Sequence, residues 1–293
     1  MKRAVCLLLG VVLLGATAAL GGEELLFSMD DPVGDDYGPG IYTYPTHEVF
    51  DVPGAFDVTL VEILRDDFDL IVRVEIAGEL TNPWGAPNGF SIQALDLYLN
   101  TGPGGSTETI FDTSIPANLE NNPDGTMNAV IAEDDAWQMA FRVQGWEGSL
   151  FVPVELEPDM SAILGSPEAE EIAFALEPEP DAPEYAKYME VAFVEPEPDT
   201  NTIVFSIPLE VVGDPSPDWT FVLYMAGIDR GNARLVTAEG GDWHFGGGED
   251  DSSNSNIMDL LVPPGESQEE ILDYTVESPV VLPGIPLEVG AEE

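Results

Sequence analysis

Short apolar runs, each closed by aspartate, glycine, proline or asparagine, recur along this chain from Asp57 onward and leave little room for long helices. Val58, Leu60, Glu62 and Leu64 alternate with Thr59, Val61 and Ile63; Asp66-Asp67 turns the chain, and Leu70 to Ile76 returns. Such runs bounded by turn residues predict a β-hairpin with both faces partly buried. Similar runs follow at Phe90–Leu99, Met127–Ala132, Trp137–Val143, Leu150–Leu156, Ile172–Leu176, Met189–Val194, Ile203–Ile207 and Phe221–Ala226. About ten short strands at this spacing predict an all-β fold, an antiparallel β-sandwich of jelly-roll-like type. Helical signals are few. Ser267 followed by Glu270 has the spacing of a capping box and predicts one short C-terminal helix, and Pro208 to Val212 fits a single turn.

The two ends read differently. Met1-Lys2-Arg3, the apolar run Ala4 to Leu14 and the small residues Ala16-Thr17-Ala18 have the form of a cleaved export signal, so residues 1–18 are expected to be absent from the mature protein. The run is too short for a membrane span. Residues 19–277 form one expected domain, and residues 278–293, with Pro279, Pro283 and Pro286, read as an extended tail with one edge strand at most. Loss of the signal removes Cys6, the only cysteine, so the stability of the exported chain rests on its core or on bound ions.

Charge excludes whole classes of partner. Without Lys2 and Arg3, six of the eight cationic side chains face 56 acidic ones, and the formal net charge of −48 becomes −50. No basic patch for nucleic acid can be assembled, and an anionic membrane surface is repelled. The 44% hydrophobic content is too high for a disordered chain. The expected location is therefore secreted or at the cell surface, without membrane insertion. Two acidic repeats, Glu177-Pro178-Glu179-Pro180-Asp181 and Glu195-Pro196-Glu197-Pro198-Asp199, read as long solvated loops flanking strands.

The densest acidic stretch is Asp30-Asp31-Pro32-Val33-Gly34-Asp35-Asp36, closed by Gly38-Pro39-Gly40. Proline and glycine at these positions demand a shaped loop. Like charges so close repel unless they spread into water or gather round a cation. Two readings follow: a loop holding calcium through Asp30, Asp31, Asp35 and Asp36, or a solvated acidic turn. The spacing is not that of an EF-hand.

The search for catalytic patterns yields no nucleophile elbow, no phosphate-cradling loop and no His-Glu-x-x-His, and the two histidines, His47 and His244, lack ligand spacing. The chain is read as a non-enzyme. Two loops instead present aromatics. Asn82 to Gly89 carries Trp84 in a rigid turn, and Gly240 to Gly248 carries Trp243 in a glycine-rich bend. An exposed tryptophan can stack on the C–H face of a sugar, and the same ring can equally plug the end of a sandwich. Tyr42 and Tyr44 are further stacking candidates beside the acidic loop. Trp137 and Trp219 are expected in the core, and Trp146, between Gly145 and Gly148, is open to either role.

An ordered series of these segments resembles the glucodextranase C-terminal domain family. It begins with Asp31-Pro32-Val33-Gly34-Asp35-Asp36-Tyr37-Gly38-Pro39-Gly40 and Tyr42-x-Tyr44-Pro45, and continues through Pro53-Gly54-Ala55-Phe56-Asp57, Thr81-Asn82-Pro83-Trp84-Gly85 and Asn88-Gly89-Phe90-Ser91. It resumes at Asp134-Asp135-Ala136-Trp137 and Asp229-Arg230-Gly231, then Trp243 to Gly248, Asn256-Ile257-Met258-Asp259 and Ser267 to Leu272. The resemblance implies a β-sandwich module of the kind attached to extracellular glucodextranases and pullulanases, binding carbohydrate or the cell envelope and likened to surface-layer modules. No hydrolase domain accompanies it in this sequence, so a glycoside hydrolase partner would be a separate protein. The expectation is a carbohydrate-binding module for polysaccharide or cell-envelope glycan, using Trp84, Trp243, Tyr42 and Tyr44. The alternative is a calcium-dependent structural cell-surface protein of the S-layer-associated kind.

Overall fold

The hairpin expected from the alternation is present as β2 (Val58–Arg65) and β3 (Asp69–Ile76), turned by Asp66, whose carboxylate accepts from the backbone N–H of Phe68 and Asp69. The computed structural model describes residues 22–110, 128–153, 185–188, 191–229, 232–249, 254–275 and 278–287. The export signal, the Ile172–Leu176 run and the first acidic repeat lie outside the described residues. A strand β1 (Glu24–Asp30) precedes the hairpin and pairs antiparallel with β2, so Asp30 ends a strand and the acidic loop proper starts at Asp31.

Further strands are β4 (Gln93–Asn100), β5 (Ala129–Ile131), β6 (Met139–Gln144), β7 (Gly148–Pro153), β8 (Tyr185–Tyr188), β9 (Phe193–Val194), β10 (Thr202–Pro208) and β11 (Thr220–Asp229). The chain closes with β12 (Asn232–Ala233), β13 (Asp259–Leu260), β14 (Val280–Leu282) and β15 (Ile285–Pro286). One sheet has the order β1-β2-β3-β10-β9, and the other β12-β11-β4-β6-β7-β8 with β13 and β15 also on β11. Their facing sides, including Val61, Ile63, Val72, Val74 and Phe205 against Leu95, Leu97, Phe141 and Phe221, form one core. This is an antiparallel β-sandwich.

Strands covered on one face differ visibly from those covered on both. In β10 the inward Ile203, Phe205 and Ile207 alternate with half-exposed Val204, Ser206 and Pro208. β4 and β11 are nearly continuous apolar runs, because the outer face of their sheet is covered too. That second core gathers Tyr98, Phe151, Val222 and Tyr224 with Ile131, Trp137, Leu260, Leu272 and Leu282. Trp137 and Trp219 are both buried, as expected.

The segment after Ser278 departs from the extended tail expected of it. β14 pairs parallel with β5, β15 pairs with β11, and Leu282, Ile285 and Leu287 are buried. The reason is burial: Val280 and Leu282 of β14 cover the outer face of the second sheet, Ile285 and Leu287 join the core between the sheets, and the prolines fall at strand ends. The helix expected near Ser267 is the single turn Gln268–Ile271, but the Ser267 side chain makes no capping bond. Gln268 points inward instead; its Oε1 accepts from the Leu260 N–H at 2.5 Å and its Nε2 donates to the Asp35 and Gly38 carbonyls. Among the described residues no helix is long and apolar enough to cross a membrane.

Candidate functional site

Three tryptophans from three separate connections meet on one surface. Trp84 sits in the β3–β4 connection, where Asn82 closes the turn twice: its Oδ1 accepts from Ala86 N–H and its Nδ2 donates to the Ala86 carbonyl, both at 2.8 Å. Gly85 has φ +67°, a left-handed value that favours glycine. Trp146 tips the β6–β7 turn. Its neighbour Gly145 packs so tightly against the β3–β4 connection that a Cβ would lie 1.9 Å from the Phe90 carbonyl oxygen. Asn88 locks the contact from its side, its backbone N–H and Nδ2 donating to the Gly145 and Gln144 carbonyls. The two indoles end 6.4 Å apart between centroids with their planes 24° from parallel.

Trp243 arrives from the glycine-rich loop between β12 and β13. This loop is tied to the segment after the acidic loop by a two-way bridge between Thr43 and Gly246 and by Thr46 N–H to Gly241 O at 2.9 Å. Arg234 Nη1 donates to the Trp243 carbonyl at 2.5 Å, and its Nη2 to the Ile228 carbonyl at 2.6 Å. The His47 ring stacks on Trp243 with centroids 4.0 Å apart. Between the loops lies buried Phe50, with its ring edge-on to both Trp84 and Trp243 at 6.2 Å, and the Arg234 guanidinium 4.8 Å above its face. The result is a run of contacting rings, Trp146, Trp84, Phe50, Trp243 and His47, on a floor of Phe50 and Arg234. Trp84, Trp146 and Trp243 keep 38%, 44% and 41% of their surface in solvent. The exposed indoles are thus linked through a ring that is itself buried.

Replacing Gly145 by alanine is expected to lower stability by about 1–3 kcal/mol through overpacking against Phe90. Near-UV circular dichroism should change with it, because Trp146 would no longer lie against Trp84; an unchanged spectrum and melting curve would count against this packing.

Residues 26–283 match the family model described as the C-terminal binding module, SLH-like, of glucodextranase. The chain belongs to that family. The match runs from within β1 to the residue after β14 and so takes in every strand but β15. A comparison with curated proteins found no match.

In this glucodextranase-type binding module the tyrosines and aspartates beside the acidic loop are distributed differently from the tryptophans. Tyr42 is buried in the core, and Tyr44 is largely buried, its hydroxyl donating to Asp36 and accepting from the Phe56 N–H, its ring edge-on to Phe56 and Phe245. Neither is brought to the tryptophan surface. Asp30 is exposed at the end of β1. Asp31 and Asp35 instead meet Asp259 of β13, with one carboxylate oxygen from each within 4.8 Å of the others. Asp57 stands next to them, its Oδ2 accepting from Gly34 N–H at 2.9 Å. Burial, with the charges of Asp35 and Asp57, pushes the Asp31 pKa up to about 8. Burial and neighbouring aspartates likewise push Asp57 up to about 6 and raise Asp259 well above the carboxylate range.

Sequence reasoning did not single out Phe50, Arg234, Asp57 or Asp259 as site residues and left Trp146 open. Gly145 next to Trp146 was the one available signal for a close-packed turn, and Asp259 could have been flagged as an aspartate inside the apolar run Ile257 to Val262.

Proposed function

We propose that this binding module is an exported, non-catalytic carbohydrate-binding protein whose ligand, a polysaccharide or cell-envelope glycan, lies across Trp84, Trp146 and Trp243. The observation that carries this reading is the convergence of three half-exposed indoles from three loops onto one surface with a buried aromatic floor. Indole faces suit the C–H faces of pyranose rings, and the exposed Asp242 and Asn82 beside them offer hydroxyl partners. A platform fixed by hydrogen-bonded turns loses little side-chain entropy on binding. The non-catalytic reading is supported by burial: Asp31 and Asp259 of the gathered carboxylates are both buried, out of reach of a polymer. With a net charge of −50 once the export signal is removed, the ligand is a neutral or cationic glycan.

Titration of the purified chain with an α-glucan panel, followed by intrinsic tryptophan fluorescence, tests this. A saturable shift with at least one glycan is expected, weakened about tenfold or more by Trp84→Ala or Trp243→Ala, as hot-spot aromatics behave. No response to any neutral glycan, or one that both variants retain, would overturn it. The family description as SLH-like favours a second reading, a structural cell-surface protein. Calcium-dependent self-association in sedimentation velocity, without glycan binding, is its expected signature.

A further inference from the structure

We propose that Asp31, Asp35 and Asp259, with Asp57 beside them, hold one calcium ion that fastens the loop after β1 to β13. The four residues come from three distant parts of the chain, and each has a buried carboxylate oxygen without a hydrogen-bond donor: Asp31 Oδ2, Asp35 Oδ1, Asp57 Oδ1 and Asp259 Oδ1. Asp259 is 0% exposed, and its other oxygen is already used by the Val58 N–H at 2.6 Å. Among the described residues no lysine, arginine or histidine forms an ion pair with any of the four. Buried carboxylates without cations or donors are strongly unfavourable and either neutralise or bind a cation.

The chemistry of the donors selects the ion. All are carboxylate oxygens, with neither imidazole nor thiolate, which suits a hard cation and not zinc or copper. Four formal negative charges favour a divalent ion. Calcium takes six to eight oxygens in flexible geometry, whereas magnesium demands near-ideal octahedral geometry and keeps several waters.

The frame round the site is built independently of the ion. Gly38 N–H donates to the Met258 carbonyl at 2.9 Å, Asp31 N–H to the Thr59 carbonyl at 3.0 Å, and Gln268 joins the Asp35 and Gly38 carbonyls to the Leu260 N–H. The carboxylates are thus brought together by neutral hydrogen bonds and left to be satisfied by something else. The ligand set differs from the loop-only set that the sequence suggests. It drops exposed Asp30 and Tyr44-bonded Asp36, and it reaches across more than two hundred residues to Asp259.

The test uses the full chain stripped with chelator and then titrated with calcium chloride by isothermal calorimetry, in parallel with thermal melts. One calcium per chain, a melting temperature that rises with calcium and returns with chelator, and a much smaller response to magnesium are expected. Asp259→Asn and Asp35→Asn should each lose stoichiometric binding, and Asp30→Asn should keep it; Asp35 lies on a half-exposed loop, so that variant serves if Asp259→Asn does not fold. Absence of saturable binding and of any melting shift would overturn the site. So would loss of binding in Asp30→Asn with retention in Asp35→Asn, and an equal response to magnesium would overturn the choice of calcium. None of these readouts involves glycan, so the site stands or falls apart from the tryptophan surface.

Discussion

Asp96→Ala should lower the stability of the chain by about 3–5 kcal/mol, the usual consequence of leaving one member of a buried ion pair alone. Asp96 on β4 stands in register with Arg142 on β6 and with Tyr224 on β11, so three polar side chains form a row across the middle of the larger sheet. The Arg142 guanidinium makes two bonds to Asp96, at 2.8 and 2.7 Å, and a third to the Ile110 carbonyl at 2.7 Å. The Tyr224 hydroxyl donates to Asp96 at 2.7 Å, and that of Tyr98 lies 2.9 Å from it while accepting from the Ile110 N–H. Burial alone would lower the Arg142 pKa, and the Asp96 charge and its hydrogen bonds outweigh it; a guanidinium is basic enough to stay charged in a protein even without that partner. Alanine therefore strands a cation in the core. Replacing both charges, with Asp96→Leu and Arg142→Met together, should recover much of the loss, because a buried pair is often dispensable when its volume is filled by apolar atoms. Denaturant unfolding of the two variants checks this. A loss under about 1 kcal/mol in Asp96→Ala would mean that water or another group reaches Arg142.

How much of this was legible in the sequence depended on whether the deciding contact was local. The hairpin of β2 and β3 and the strands β10 and β11 could be read from Val and Ile patterns because burial on one or both faces imposes a period on the residues themselves. β1 was not read, since Leu25, Leu26 and Phe27 are few and run straight into the acidic loop. β14 and β15 looked like a proline-rich tail because their worth lies in pairing with distant strands, β14 with β5 and β15 with β11. At the site, Trp84 and Trp243 stood out through their Asn-Pro and Gly-rich loops, which are local signals. Trp146 acquires its place only from the fit of Gly145 against Phe90, and Phe50 from lying between the loops of Trp84 and Trp243, far apart in the chain. Tyr42 and Tyr44 show the converse. A tyrosine beside an acidic turn has the chemistry of a surface ligand, yet Tyr44 fills the space between the turn and the Phe56–Phe245 pair and Tyr42 is buried in the core.

The carboxylate cluster and the tryptophan surface are parts of one loop system. The chain that leaves Asp31 and Asp35 runs through Tyr42 and bridges to Gly246 at Thr43. It then places His47 on Trp243, and Phe50 follows in the short helical turn Glu48–Phe50. Gly247 has φ +88°, and a Cβ there would lie 2.0 Å from the Ile41 carbonyl oxygen, so the two loops meet with no side chain between them. Whatever fixes the first loop thereby also fixes the position of Trp243.

Phe50→Ala gives the sharpest access to that dependence, with an expected loss of about 3–5 kcal/mol, the range for removing a buried phenylalanine ring. The ring is packed in the main core, supports Trp84 and Trp243 edge-on, and takes the Arg234 guanidinium over its face. Arg234 is itself buried, with two nitrogens satisfied by carbonyls and its Nε without a partner, so loss of the aromatic face removes part of what compensates its desolvation. Phe50→Leu keeps much of the volume and should cost under about 1.5 kcal/mol, and that contrast separates lost volume from lost ring. In Phe50→Ala the indoles of Trp84 and Trp243 lose their shared support, so the fluorescence maximum should move to the red in the folded protein. Glycan affinity should then fall even at temperatures where the variant is fully folded. A variant that loses stability but keeps both the emission maximum and the affinity would show that the tryptophans are held by their own turns, Asn82 for one and the Thr43–Gly246 bridge for the other. Phe50 would then be core and not floor.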